Sequence, residues 1–256
     1  MNIIINDKIV SESINKNQNI SEADKSILAP CINSITNFFI KLGIAIPTEN
    51  SGLILKKLNI VNDYNKDTNE FVSYNKERNE LSFFWSNVNK DSLGDFYYHC
   101  IYSLLSILSM RYSEKYGQFV NGVEYINEIG ITKGKMLNEL LKRNITINIS
   151  MENPYDMDIK NFYYDSPDYC TMYDNLLENI LYSKIGLEKT LECFVGGQGD
   201  IIYSQFSNMI GEKDTQRLYD VIDSYPSNKI KNREIYDELL ALLNISYEKR
   251  FNMNLM

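Results

Sequence analysis

The only histidine of the chain lies in a stretch with the spacing of a helix. His99 begins the pentapeptide HCIYS, and because helical positions i and i+4 share a face, His99 and Ser103 point in the same direction. Two ligands at this spacing can hold a metal ion from one helix, with a carboxylate between them as a general base. A neutral serine hydroxyl is a poor zinc ligand, so this helix does not complete a metal site by itself.

The cysteine next to this histidine is a second candidate for chemistry. Cys100 could act as a nucleophile if a base lay within hydrogen-bonding reach. Neighbouring residues on a helix diverge by about 100° and do not face each other, and the chain has no second histidine. The sequence therefore does not favour a cysteine hydrolase.

A carboxylate further along the chain is the best candidate to face His99 from another helix. Glu139 follows Asn138 in the segment GKMLNELLKR. A solvent-exposed helix face also explains this residue, because Glu139 has Lys135 four residues before it and Arg143 four residues after it. Both interpretations stay open at the level of sequence.

The segment GGQGD at 196–200 has the glycine content of a phosphate-binding loop. It lacks the following Gly-Lys-Ser/Thr, and no convincing strand precedes it. We therefore interpret it as a connection between helices, with Asp200 as the N-cap of the second helix.

Two helices and a hairpin are expected to position these residues. Apolar runs on either side of NKERN predict a β-hairpin between about Glu70 and Ser86. An S-x-x-D start at Ser92 then predicts a central helix whose apolar positions continue to Tyr112. The segment ITKGKMLNELLKRN predicts a shorter helix after it.

The ends of the chain carry further signals. A capped helix is predicted from Ser21 to Gly43, with Pro30 expected to kink it, and a short hairpin is possible around Asn6. The segment MENPYDMDIKNFYYDSPDY predicts a long surface connection or a lid over a groove. Helices are predicted after it at 172–181, 187–194, 200–210, 212–224 and 232–243.

These elements predict a mainly helical α+β fold with a small hairpin or sheet packed on a long central helix, followed by a C-terminal helical part. We expect a single domain over 1–256. It would comprise an N-terminal helical region at 1–67, a hairpin and central helices at 68–150, and a C-terminal helical subdomain at 151–256.

In the order of its elements, the chain resembles a zincin-like metallopeptidase family of low-GC bacteria. In that family a β-hairpin leads into an H-E-x-x-H helix, and a later N-E-G-x-T-E helix supplies the third zinc ligand. The resemblance covers roughly 68–210. EFVSYNKERNELSFF matches the hairpin, HCIYS takes the place of the zinc motif, and Asn138-Glu139 match the Asn-Glu pair.

The chain departs from that family at the positions that do the chemistry. Cys100 replaces the general base, Ser103 replaces the second histidine, and Leu141-Lys142 occupy the place of the Thr-Glu pair. A catalytic zinc site needs three protein ligands and an open position for water. The resemblance therefore implies a zincin-like fold without catalytic residues, and we expect no zinc and no cofactor.

Composition limits the partners and the compartment. The net charge of −8 and the absence of a clustered basic stretch argue against nucleic acid. No segment reaches the roughly 18 apolar residues of a membrane span, and no targeting signal is recognisable. The four cysteines are widely spaced, so we expect free thiols and a cytoplasmic protein. Their positions are Cys31, Cys100, Cys170 and Cys193.

Together these observations predict a catalytically inactive binding or interaction module with a protein or peptide partner. Two alternatives remain. One is a hydrolase that uses an unrecognised carboxylate site, for example the acids of ENPYDMD placed over the central helix. The other is a structural or assembly protein of a mobile element, whose many tyrosines form a partner interface.

Overall fold

The central helix of the computed structural model is the element on which the other parts pack. The structure describes residues 12–65, 70–152 and 181–224, together with 238, 241 and 242; for 48–50 it describes the backbone alone. Two predicted features lie wholly or almost wholly outside these residues, namely the hairpin around Asn6 and the helix at 172–181. Most of the helix at 232–243 and of the segment after Met151 also lies outside them.

The first helices follow the signals in the sequence. Helix α1 (Glu22–Lys41) begins after Ser21, whose hydroxyl accepts a hydrogen bond from the backbone N–H of Asp24, so the predicted cap is confirmed. It runs through Pro30. Helix α2 (Thr48–Lys56) follows and ends against Asn17, whose side-chain amide donates to the carbonyls of Leu55 and Leu58.

A three-stranded sheet lies beside the central helix. The predicted hairpin is confirmed as β2 (Val72–Asn75) and β3 (Glu80–Phe84), which pair antiparallel. Strand β1 (Asn59–Asp63), which no sequence pattern predicted, pairs parallel with β3 and gives the order β1-β3-β2. The sheet packs on the central helix, and the rings of Phe83 and Phe96 meet edge to face at 5.5 Å.

The central helix α3 (Leu93–Leu108) is shorter than predicted. Its apolar spacing suggested a continuation to Tyr112, but Ser109 ends the helix and the chain turns into a hairpin of β4 (Met110–Ser113) and β5 (Gln118–Asn121). The turn between these strands contains Gly117 at φ +64°, a conformation that favours glycine. Tyr112 therefore lies on a strand, opposite Phe119.

The remaining elements follow the β4–β5 hairpin along the chain. A short pair, β6 (Tyr125–Ile126) and β7 (Thr132–Lys133), leads into helix α4 (Lys135–Met151), which is longer than predicted. Three helices follow close to their predicted bounds, α5 (Leu187–Val195), α6 (Gly199–Ile210) and α7 (Glu212–Ser224). One apolar cluster takes in side chains from Ile14 to Ile222.

The architecture is thus the predicted mainly helical α+β fold, with small sheets on a central helix and further helices after it. Among the described helices, none combines the length and the apolar character needed to cross a membrane.

Candidate functional site

His99 is packed among aromatic rings in the first half of α3. Its ring stacks on Phe71 with the centroids 5.5 Å apart, and Tyr98 meets it edge-on at the same distance. Burial lowers the pKa of His99 from 6.5 to about 4, because a charged imidazolium would lose its hydration there. The imidazole is therefore neutral at neutral pH.

This packing predicts a pH-dependent stability. The unfolded chain takes up a proton at His99 near pH 6.5, whereas the folded chain does so only near pH 4. The stabilisation is complete above about pH 6.5 and is lost as the pH falls to 4. Between about pH 7.5 and 5, we expect wild type to lose about 2 kcal/mol more unfolding free energy than His99→Gln.

Urea denaturation of both proteins at the two pH values measures this difference, and carboxylates elsewhere in the chain contribute equally to both. Equal losses of stability in wild type and His99→Gln would show that the histidine is not held neutral by the fold.

Cys100 faces the core. Its side chain is 0% exposed, and its thiol hydrogen-bonds with that of Cys31 on α1. Burial, followed by the neighbouring Cys31 thiol, raises the pKa of Cys100 well above its usual range. The thiol is therefore protonated and inert as a nucleophile. Cys31, Cys100 and Cys193 are free thiols, as predicted, and Cys170 lies outside the described residues.

Glu139 faces α3, but the contacts it makes there differ from those expected. Its carboxylate accepts hydrogen bonds from the Tyr102 hydroxyl and from Nζ of Lys142, the latter at 2.8 Å. The expected i±4 partners, Lys135 and Arg143, are replaced by Lys142 at i+3. Ser103 is buried, and Tyr102 takes the place expected for His99 and Ser103 opposite the carboxylate.

Lys142 links this carboxylate to a second serine. Its buried ammonium lies 3.0 Å from Oγ of Ser106 and 4.1 Å from the centre of the Tyr102 ring. A serine and a lysine at this distance could form a catalytic pair if the amine accepted the hydroxyl proton. An ammonium beside a carboxylate and over an aromatic ring is a donor, with no lone pair to act as a base. The cluster is therefore a polar contact between α3 and α4, with Lys142 buried and the Glu139 side chain 43% exposed.

The residues present do not fit the zinc ion that is bound in the family that the chain resembles. Cys100 and Ser103 are buried in the core, and Glu139 is engaged by Tyr102 and Lys142. Within the described part of the chain, no group of three or more His, Cys, Asp or Glu side chains could hold a metal ion. Asn138 is also structural, since its buried side-chain carbonyl accepts from the backbone N–H of Val123.

The glycines of GGQGD serve close packing. Helix α6 begins at Gly199 after Gln198, so the prediction of Asp200 as N-cap was wrong. Asp200 lies in the first turn and pairs with Arg111 at 3.2 Å. A Cβ on Gly199 would lie 2.3 Å from the carbonyl oxygens of Val123 and Glu124, so protein backbone fills the space where a phosphate would bind.

A groove of about 500 Å³ lies between α2, the β2–β3 turn and the β4–β5 hairpin. Its floor is one face of the hairpin, because Met110, Tyr112 and Phe119 project to the same side of the two strands. Leu53 and Ile54 of α2 form a wall. We call this surface the basic-rimmed groove.

Three cations and one carboxylate line this groove beside its apolar residues. Lys57 follows α2, and Lys76, Glu77 and Arg78 lie in the β2–β3 turn. Among the described residues, the three cations take part in no ion pair. These cations are not clustered in the sequence; the fold brings Lys57 close to a turn that lies about twenty residues later in the chain.

Two asparagines hold the turn in place. The Asn75 side chain accepts from the backbone N–H groups of Glu77 and Arg78. Asn79 adopts φ +49°, a conformation that asparagine tolerates, and its side-chain amide donates to the Ile54 carbonyl at 2.9 Å. The Tyr74 hydroxyl donates to the side-chain oxygen of Asn79. The turn is thereby fastened to α2 across the groove.

The sequence indicated part of the structure of this turn. NKERN was interpreted only as a turn, although its Asn residues at both ends are typical of a tight, side-chain-bonded loop.

Comparison of the chain with protein-family models, with curated proteins and with solved structures found no match.

Proposed function

We propose that this chain is a binding protein without catalytic activity, and that the basic-rimmed groove is its recognition surface for a protein or peptide partner. The observation that carries the proposal is the exposed apolar lining of the groove. The side chain of Leu53 is 60% exposed and that of Tyr112 is 47% exposed. Neighbouring exposed apolar side chains that share a concave surface are typical of binding sites.

The size of the groove supports the same proposal. Its volume of about 500 Å³ falls within the roughly 300–1,000 Å³ of ligand-binding pockets. The lining combines apolar side chains with a few polar groups at the edge, which is the composition that provides both affinity and orientation. Burying Leu53, Tyr112 and Phe119 would contribute affinity in proportion to the apolar area removed from water.

We further propose that the chain is a zincin-like protein that has lost its catalytic centre. The order of hairpin, central helix and following helix supports this, as does the orientation of Glu139 towards α3. The buried Cys100 and Ser103 would then be former site positions that now belong to the core. A cytoplasmic location, without nucleic acid, membrane or cofactor as partner, is part of the same proposal.

The two alternatives have less support. A hydrolase based on ENPYDMD would rest largely on residues outside the described part, and Glu152 pairs with Lys41 at 2.6 Å. An assembly protein would present tyrosines on an open surface. The cluster of Tyr125, Tyr203 and Tyr219 instead packs together, with the first two ring centroids 4.2 Å apart and Tyr219 fully buried.

A neutral fluorescent probe tests whether the groove binds apolar groups. N-phenyl-1-naphthylamine is apolar and uncharged, so its binding reports on the apolar lining alone. We expect a saturable rise in fluorescence with wild type and at least about a tenfold loss of affinity in Leu53→Asp, because the variant places a charge on the apolar wall.

Leu187→Asp is the matched control. Leu187 is 47% exposed on α5, outside the groove, and its variant adds the same charge. We expect its affinity to stay within about twofold of wild type, with both variants folded by circular dichroism. Equal binding by Leu53→Asp and Leu187→Asp would refute the groove as the recognition surface.

A further inference from the structure

We infer that the partner of the basic-rimmed groove is an acidic protein segment that inserts an apolar side chain between Leu53 and the β4–β5 hairpin. This inference rests on the proposed function and specifies the chemistry of the partner.

The charges of the rim carry the inference. The turn and the end of α2 place Lys57, Lys76 and Arg78 around the groove against the single carboxylate of Glu77. The chain as a whole has a net charge of −8, so this positive edge contrasts with the average charge of the molecule. A binding partner gains specificity and a faster association when its charge complements such an edge.

The rim cations are also available. None of the three belongs to an ion pair among the described residues. Carboxylates of a partner would therefore break no ion pair of these cations within the described part of the chain. Arg78 can hold a carboxylate with two parallel hydrogen bonds, which fixes its orientation as well as its position.

The rim is held in place before any partner binds. Asn75 and Asn79 fix the turn that carries Lys76 and Arg78, through bonds to the turn backbone and to the Ile54 carbonyl. Binding to a backbone that is already ordered costs less conformational entropy than ordering a mobile loop. The arrangement therefore suits recognition of a defined sequence of charges.

An acidic protein segment fits this surface better than nucleic acid does. Nucleic-acid affinity grows with the number of phosphates neutralised, and three cations beside Glu77 neutralise few of them. The overall charge of −8 would repel a long phosphate backbone. A short segment with a few carboxylates and an apolar anchor avoids most of this repulsion.

Four short synthetic peptides test the inference by fluorescence anisotropy. The first has a central Leu-Trp pair flanked by Glu and Asp. The others replace the acids by Gln, replace the acids by Lys, or replace the Leu-Trp pair by Ser. We expect the acidic apolar peptide to bind at least about tenfold more tightly than each of the others. Raising the salt from ~0.05 M to ~0.5 M should weaken its binding, because the rim charges are exposed.

The variant Lys76→Glu/Arg78→Glu tests the position of the site. Both residues are exposed in the turn, so we expect a folded protein with at least about a tenfold loss of peptide affinity. Lys184→Glu/Lys213→Glu makes the same change of net charge at exposed residues outside the groove. This control should keep peptide affinity within about twofold.

The outcomes separate the two proposals. Probe binding that depends on Leu53, without preference for the acidic peptide, would overturn the partner class and leave the groove as a binding surface. If neither Leu53-dependent probe binding nor a preference for the acidic peptide is found, both proposals are overturned. Tighter binding of a single-stranded oligonucleotide than of the acidic peptide, with the same dependence on Lys76 and Arg78, would show that the partner is nucleic acid.

Discussion

Replacing Gly199 by Ala is expected to lower the free energy of unfolding by more than about 4 kcal/mol. Gly199 is the first residue of α6, where alanine has the better intrinsic helix propensity by about 1 kcal/mol. The added Cβ would lie 2.3 Å from the carbonyl oxygens of both Val123 and Glu124. Neither carbonyl belongs to a flexible side chain, so the clash outweighs the gain in propensity.

Gly211→Ala is the matched control, because it separates a steric clash from backbone strain. Gly211 has φ +87° and ψ 156°, a conformation almost restricted to glycine, and open space around the position of a Cβ, so its substitution should cost about 1–3 kcal/mol through backbone strain alone. Denaturant unfolding followed by circular dichroism measures both variants against wild type. A smaller loss in Gly199→Ala than in Gly211→Ala would show that α6 is not in contact with the backbone at 123–124.

Local signals in the sequence predicted most of the helices and one hairpin. Ser21 caps α1 through a residue three positions away, and the apolar spacing of α3 comes from its own residues. Such patterns lie within one element, so they can be recognised without the fold. Local spacing also explains why α3 was predicted to continue too far. Tyr112 fits the helical spacing of the residues before it, but the segment MRYSEKYGQFV forms two strands joined by a turn at Gly117.

Contacts between distant segments could not be predicted in this way. The N-cap of helix α4 is Gly134, which has no side chain to cap the helix, and the carboxylate of Asp223 on α7 accepts from the backbone N–H groups of Gly134 and Met136 instead. Strand β1 has only an irregular pattern of burial and is specified by its pairing with β3. Long-range partners of this kind depend on the packing of the whole chain.

At the candidate site, too, local patterns could be recognised in the sequence and contacts between distant segments could not. The sequence left open whether Glu139 faces α3 or lies on a solvated helix face, and helical phase alone could not show that Tyr102 and Lys142 would engage its carboxylate. The basic-rimmed groove draws Leu53, Arg78 and Tyr112 from three separate segments. No spacing in the sequence relates these segments, so this surface emerges only from the fold.

The second large effect on the free energy of unfolding is expected at Cys100, one of the positions of the proposed lost zinc site. The substitution Cys100→Glu places a carboxylate at a position that is 0% exposed and next to Cys31. We expect a loss of about 4 kcal/mol or more, because a buried carboxylate without a partner is strongly unfavourable. Cys100→Ala is the matched control and should cost about 1 kcal/mol, since it removes only one buried atom.

Zinc then distinguishes a former metal helix from an ordinary core helix. In Cys100→Glu/Ser103→His, two histidines stand four residues apart on α3, and zinc that binds the folded state stabilises it by about 2.7 kcal/mol at a concentration 100-fold above its dissociation constant. If α3 and α4 derive from a zincin, zinc should recover part of the stability lost by this double variant and none of that lost by Cys100→Glu alone. Thermal unfolding with zinc and with a chelator measures the recovery. An equal response to zinc in both variants, or no response in either, would contradict a zincin origin. It would show that the histidine introduced by Ser103→His does not bind zinc together with His99 and a group of α4.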